Sequence, residues 1–257
     1  LRTELLDYLG DKHILIVLDN FEHLLHAHET VMAILDHTPH IKLLITSRER
    51  LKLHAEWIHE VAGLSYPTKE SINNLETYEA PKLFAEHAYR IYHEFSLDEE
   101  ASSIVQICTL TEGLPLAVEL AANWVRTLPC SEIATELQHH LGILETDLYD
   151  VPARHRSMRA VFDYSWKLLN EDERHIMMGI STFRGGFHRD AAEHITGASL
   201  KILSSLVDKS LLRINQNGRY EIHELQRQYT IEQLNNLPDL KNQLHDRHCE
   251  YYLALMN

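Results

Sequence analysis

Hydrophobic residues along the chain repeat in two ways, and each predicts a different kind of element. Near the start, two largely apolar runs of strand length, Ile14–Leu18 and Ile41–Ile45, enclose a stretch, Glu22–Asp36, whose apolar residues have helical spacing. Strand, helix and strand in this order predict a parallel crossover unit, with the first strand covered on both faces. A short third strand is predicted at Trp57–Val61, and a helix at Leu1–Leu9 precedes the unit.

After Tyr66 the apolar spacing is helical almost throughout. Asp98, before two glutamates, is a candidate N-cap, and Asn170 with Glu173 three residues later has the spacing of a capping box. Asn217-Gly218 between two short apolar runs, Leu211–Asn215 and Arg219–Ile222, predicts a hairpin. The predicted helices are Tyr78–His93, Asp98–Thr111, Pro115–Leu128, Ser131–His140, His155–Leu168, one capped by Asn170, His188–His194, Ser199–Val207, His223–Leu234 and Leu237–Leu255.

Three helices followed by a hairpin are typical of a winged helix-turn-helix. The predicted fold class is therefore α/β plus mostly α: part of a parallel sheet domain, then a helical domain, then a winged helix. The predicted boundaries are 1–65, 66–150 and 151–235, with 236–257 beginning a further helical region. Because the chain begins at Leu1 rather than Met, we expect it to be a fragment of a longer protein.

Charge and composition exclude several classes of function. Lys and Arg number 24 and Asp and Glu 38, so the formal charge is 24 − 38 = −14. This balance argues against binding to nucleic acid by bulk charge and against binding to an anionic membrane. With three cysteines at wide spacing and no apolar run that could span a bilayer, a cytoplasmic protein is expected.

Polar residues follow both predicted strands, at the edge where parallel sheets bind ligands. Asp19 follows the first strand, a pattern typical of a carboxylate that holds Mg²⁺ through water; the alternative is an Asp that caps the next helix. Thr46-Ser47-Arg48 follows the second, where an Arg and two hydroxyls could meet a phosphate; the alternative is a solvated turn.

Two later segments are weak signals alone and become candidate binding sites only because of their place in the order of the motifs. Gly113–Ala117 has the sequence of an ordinary helix connector. His223 lies in the first turn of a helix, where free backbone N–H groups attract anions, although it is also one histidine among 19. Two His-rich groups lack the spacing of a complete zinc site, so metal binding by them is not expected. These groups are His23, His26 and His28, and His245, His248 and Cys249.

Taken in order, these segments resemble the STAND class of signal-transduction ATPases. The resemblance is to the NB-ARC-like modules of bacterial AfsR-like, LuxR-type and tetratricopeptide-repeat regulators. The residues that carry it are Leu15–Leu25, Leu43–Glu49, Gly113–Ala122, Phe183–Phe187, Leu206–Leu211 and Ile222–Tyr229, with Arg247-His248 and Tyr251–Leu255 in the next helix.

The resemblance implies a role for each motif residue. Asp19 would be the Walker B acid that binds Mg²⁺, and Arg48, after Thr46, would sense the terminal phosphate of ATP. Pro115 would pack near adenine. His223, in Ile-His-Glu rather than the family's Met-His-Asp, would touch the β-phosphate of ADP and hold the winged helix closed.

Two departures from the family pattern bear on activity. No G-x-x-x-x-G-K-[ST] loop is present, and the family places it upstream, before Leu1. Asn20 stands after Asp19, and an amide cannot act as a general base; Glu22 is a possible substitute. We therefore expect a slow ATPase switch, inactive as this fragment.

The implied function is an ADP/ATP-binding switch in a signalling or transcription-regulatory protein. ADP would hold its domains closed, and ATP would favour an open form that forms homo-oligomers. The alternative is a regulator whose winged helix binds DNA directly, but its basic residues are few for a chain of this charge. The basic residues of the predicted winged helix are Lys201, Lys209, Arg213 and Arg219. A purely structural adaptor is a third possibility.

Overall fold

The computed structural model describes residues 2–67, 74–148, 151–152 and 155–256. The protein is mostly helical with a small parallel sheet. Leu1, and the residues beside the predicted boundary at 150, lie outside the described part. The elements in chain order are α1 Arg2–Leu9, β1 Leu15–Leu18, a 3₁₀ helix Phe21–Ala27, α2 His28–His37, β2 Lys42–Ile45, a 3₁₀ turn Leu75–Thr77, α3 Glu79–Ile91, α4 Ala101–Leu110, α5 Pro115–Ala122, α6 Cys130–His139, a 3₁₀ turn Leu141–Ile143, α7 Met158–Lys167, α8 Glu171–Ile180, α9 Arg189–Thr196, α10 Leu200–Asp208, β3 Arg213–Ile214, β4 Tyr220–Glu221, α11 Glu224–Asn235 and α12 Pro238–Met256.

Two compact units make up the chain. The first comprises the residues up to Glu60 together with Ser204–Leu211, and the second comprises Val61–Leu203 and the residues from Leu212 onward. Among the described residues, none of the helices is both long enough and apolar enough to pass through a lipid bilayer.

The first unit contains the predicted crossover. β1 pairs with β2 in parallel, with Leu18 level with Ile45. One face of the pair packs on α1 and α2 through a small cluster that includes Leu9 and Ile34. The other face is open, with Val17 57% exposed, so the prediction of a first strand covered on both faces is wrong for this structure.

Two further predictions in the first unit are wrong. Phe21–Ala27 is a 3₁₀ helix with a kink at Leu24, so α2 begins only at His28 and not at Glu22. No strand forms at Trp57–Val61, because these residues find no strand partner and their side chains, such as Trp57 at 98% exposure, stay in solvent.

The second unit has a helical core at its centre. Side chains from α3, α4, α5 and α6 form one buried cluster, which extends to α7 and α11. The predicted N-cap at Asp98 is wrong: Ser96 accepts the backbone N–H of Glu99, which forms a turn, and α4 starts later, at Ala101. Ala and Cys residues let these short helices pack closely, as Ala88, Cys108 and Ala121 show with no exposed area.

The later helices follow the predicted order. The capping box is confirmed, since Asn170 accepts the N–H of Glu173 and the Glu173 carboxylate accepts the N–H of Asn170. The hairpin is also confirmed, although β3 and β4 are only two residues each. Phe187 stacks on both Phe183 and Tyr220, and so joins the hairpin to the helices before it. Leu200, in the first turn of α10, is 52% exposed.

Candidate functional site

At the carboxyl edge of the parallel pair, Asp19 and Thr46 meet. The register that sets Leu18 beside Ile45 brings the next residue of each strand level as well. Asp19 accepts a hydrogen bond from the Thr46 hydroxyl, and the Asn20 side-chain amide donates to the other Asp19 oxygen at 3.2 Å. The Asn20 backbone N–H donates to the same hydroxyl oxygen at 3.0 Å. Asp19 is therefore an exposed carboxylate, oriented by two neighbours.

Arg48 lies beside the buried carboxylate of Glu22. The Arg48 Nε and Glu22 Oε1 atoms are 3.7 Å apart, and the Glu22 side chain is only 2% exposed. Its Oε2 atom is buried and lacks a hydrogen-bond partner within the described part of the chain. A buried carboxylate attracts a neighbouring guanidinium, which favours this direction of the Arg side chain.

In the second unit, His223 joins the start of α11 to the end of α4. Its Nδ1 atom accepts the backbone N–H of Leu225 at 3.1 Å, so His223 is the N-cap of α11. Because Nδ1 accepts, the proton is on Nε2, which donates to the backbone carbonyl of Thr111 at 3.2 Å. Burial lowers the pKa of the His223 ring, which keeps it neutral with both nitrogens engaged.

Thr111 lies four positions before Pro115 and two before Gly113, where the Gly-Leu-Pro-Leu segment starts. Gly113 has a left-handed φ of +67°, and its carbonyl accepts the N–H of Leu64 at 2.8 Å. The chain then turns into α5 with Pro115 in the first turn, where its missing N–H costs nothing. The Pro115 side chain is exposed and free to contact a ligand, whereas His223 is mostly buried.

Glu112 is a site residue that the sequence analysis missed. Its carboxylate accepts the backbone N–H of Glu224 at 2.9 Å and forms an ion pair with Arg213 of β3. Its Oε1 atom is 3.9 Å from His223 Nδ1. Sequence pattern did not indicate this contact because Glu112 and Glu224 are 112 positions apart and share no motif.

The structure thus brings the candidates together in two groups. Asp19, Thr46, Glu22 and Arg48 lie at the sheet edge of the first unit, and His223 lies beside the segment that leads to Pro115 in the second. Within the described residues, His, Cys, Asp and Glu side chains do not form a cluster of three that could hold a metal ion.

No protein-family model matches the chain. A Mycobacterium tuberculosis (strain H37Rv) protein, provisionally named an HTH-type transcriptional regulator, is 33% identical over 260 residues, which cover 96% of this chain and 28% of that protein. An uncharacterized protein of the same strain is 30% identical over 244 residues, or 90% of this chain and 59% of that protein. The chain therefore spans a little over a quarter of the first relative's length.

Among solved structures, the chain is similar to a Pyrococcus horikoshii protein described as a Signal Transduction ATPase with Numerous Domains (STAND) that has a tetratricopeptide repeat sensor. The TM-score is 0.36 and the identity 18%, over 100% of this chain and 33% of that one.

Proposed function

We propose that this chain is a nucleotide-dependent switch module of a signalling protein of the STAND class. The elements from α8 to α11 form a winged helix that acts as a lid, ADP stabilises the closed state, and ATP favours an open state that self-associates. The order of the motifs along the chain supports this proposal, and so does the regulator name of its 33%-identical relative.

The residues at the sheet edge fit the chemistry of a Mg²⁺–nucleotide. Mg²⁺ prefers hard oxygen ligands and keeps several waters, and Asp19 is an exposed carboxylate held in one direction by Thr46 and Asn20. When bound, the metal would neutralise charge on the phosphates. Arg48 is the candidate phosphate sensor, because a guanidinium recognises phosphate through paired hydrogen bonds.

Glu22 supports Arg48 better than it serves as a general base. A base must accept a proton from an attacking water and therefore has to reach solvent or substrate. The Glu22 side chain is almost fully buried and lies 3.7 Å from Arg48. We infer that Glu22 orients Arg48 and that hydrolysis is slow, as suits a switch.

The bridge made by His223 is the observation that carries the proposal. A neutral imidazole has one N–H to donate, and His223 donates it to the Thr111 carbonyl just before the Pro115 segment. A phosphate beside Pro115 would compete for that same proton. Binding of ADP would then replace the Thr111 contact with a phosphate contact that ties the start of α11 to the nucleotide, as the closed state requires.

Equilibrium dialysis of the 257-residue protein against radiolabelled ADP and Mg²⁺ tests the proposal. We expect saturable binding that both His223→Ala and Pro115→Ala weaken, with ATP hydrolysis at the level of the blank. His245→Ala is the matched control, because His245 is an exposed histidine on α12. A wild-type titration without saturation, or equal ADP binding by the His223 and His245 variants, would contradict the proposal.

Direct DNA binding is the second candidate, favoured by the name of the mycobacterial relative. The basic side chains of the hairpin argue against it. Arg213 pairs with Glu112, and Arg219 donates to the carbonyl of Gly186 at 2.7 Å, so both already have intramolecular partners. Fluorescence anisotropy with labelled duplex DNA at low and high salt separates the two functions: tight, salt-sensitive binding would support the DNA-binding alternative.

A further inference from the structure

The carboxylate of Glu112 collects donors from two elements that follow it by about a hundred positions in the chain. It accepts the first free N–H of α11, from Glu224, and it pairs with the guanidinium of Arg213 in β3. An acid at a helix N-terminus satisfies an unpaired N–H and also complements the helix dipole. The one side chain therefore holds both the hairpin and the start of α11 at the end of α4.

The backbone at Glu112 is costly for a residue with a side chain. Its φ is +47°, in the left-handed region where glycine is favoured. The neighbouring main chain packs closely against this residue, because a Cβ built on Gly63 would come closer to the Glu112 carbonyl oxygen than the 3.0 Å limit of real Cβ contacts. A glutamate in such a place indicates that the carboxylate, and not the backbone, is what the position requires.

His223 lies within this arrangement. Its ring is the N-cap of α11, its Nδ1 is 3.9 Å from Glu112 Oε1, and its Nε2–H reaches the carbonyl of the residue just before Glu112. Any rotation of the first turn of α11 would break the Thr111 hydrogen bond. The Glu112–Glu224 hydrogen bond opposes that rotation directly.

We propose that Glu112 is the positioning residue of this switch, fixing α11 and β3 so that His223 keeps its Nε2 proton on the Thr111 carbonyl. This inference deepens the proposed function and rests on it for its biological meaning. The geometric part concerns contacts within the second unit and is measured without nucleotide.

The test is nitrogen NMR of the histidine rings in the 257-residue protein, with His223 assigned from its absence in His223→Asn. Wild type should show one Nε2–H tautomer and a slowly exchanging Leu225 amide. In Glu112→Ala we expect mixed tautomers and Leu225 exchange roughly tenfold faster, the effect of losing about one charge-assisted hydrogen bond. Glu112→Gln keeps an acceptor oxygen for Glu224 but loses the charge, so an intermediate result is expected.

Glu119→Ala is the matched control, since that glutamate also approaches a histidine, His87 at 3.6 Å, and lies on the neighbouring helix α5. An unchanged His223 tautomer and unchanged Leu225 exchange in Glu112→Ala would overturn the proposal, whatever the melting temperature does. If wild type fails to bind ADP but the tautomer shifts as expected, the proposed function fails and the positioning role of Glu112 stands.

Discussion

Alanine at position 113 should destabilise the protein strongly, because two separate costs meet there. Gly113 has a left-handed φ of +67°, and a Cβ added to it would lie closer to the Leu64 backbone than real Cβ atoms come to any heavy atom. The obstructing atoms belong to the main chain, so no side chain can rotate away. The segments that carry Gly63 and Gly113 would have to separate.

The size of the effect follows from three contributions. A left-handed residue with a Cβ costs about 1–2 kcal/mol. Relief of the overlap adds about 1–3 kcal/mol, as in overpacked cores. Separation also breaks the hydrogen bond from the Leu64 N–H to the Gly113 carbonyl, worth about 1 kcal/mol. The sum is roughly 3–6 kcal/mol, which lowers the melting temperature on the order of 10 °C or more for a unit of this size.

Three other glycines separate these contributions. Gly197 has a φ of +77° and nothing within 4 Å of an added Cβ, so Gly197→Ala should cost only the conformational part, about 1–2 kcal/mol. Gly63 has the close approach without the left-handed φ, so Gly63→Ala should show the steric part. Gly142 has neither, and Gly142→Ala should change stability by less than about 0.5 kcal/mol.

Thermal and urea unfolding followed by circular dichroism measures all four variants. The expected order of stability is Gly142→Ala above Gly197→Ala, with Gly113→Ala lowest. If Gly113→Ala is no less stable than Gly197→Ala, the close approach at Leu64 is not a constraint. Close packing of the main chain around Glu112 would then be no constraint either.

Two further outcomes are expected. Burial lowers the pKa of His223, which faces Glu112, Arg213 and Glu224, below its ordinary 6.5. The contribution of His223 to the free energy of unfolding is therefore fully present above about pH 6.5. It falls as the pH drops below that value, because the unfolded chain binds the proton first. His223→Asn keeps an N-cap acceptor but cannot titrate in this range. The free energy of unfolding of this variant should therefore decline less between about pH 7 and about pH 5 than that of wild type. Parallel plots of the free energy of unfolding against pH for the two proteins would contradict this. For the thiols, burial raises the pKa of Cys108 and Cys130 to about 12, whereas Cys249 is exposed. An aromatic disulfide reagent at about pH 8 should titrate one thiol in the folded protein and all three after denaturation, and rapid reaction of a second thiol would show that one of the two buried sites opens.

Sequence patterns correctly predicted the elements that depend on residues close together in the chain. The capping box at Asn170, the Asn217-Gly218 hairpin and the apolar strands each depend on residues within a few positions of one another, and each is present. The meeting of Asp19 and Thr46 was also predictable, because parallel strands bring their carboxyl ends to one edge.

Predictions that depended on partners distant in sequence were less successful. The apolar residues of β1 indicate a strand correctly, but whether a strand is covered depends on which other elements pack against it. Trp57–Val61 has β-forming residues and still forms no strand, because a strand needs a partner for its backbone. The role of Glu112 depends on a left-handed φ and on contacts with β3 and α11, and neither is visible in a local pattern.

The hydrogen bonds of His223 place a requirement on any ligand that binds it. Both ring nitrogens are already used, Nδ1 by the Leu225 N–H and Nε2–H by the Thr111 carbonyl. A phosphate that takes the Nε2 proton gains one hydrogen bond and leaves the Thr111 carbonyl with the N–H of Leu114, at 2.9 Å, as its remaining partner. Since a ligand shifts an equilibrium only by its differential affinity, the exchange of one hydrogen bond, about 1 kcal/mol, contributes little by itself. The larger part of the switching free energy must then come from other contacts that break when the start of α11 moves. The candidates beside His223 are the Glu112–Arg213 ion pair and the Glu112–Glu224 hydrogen bond.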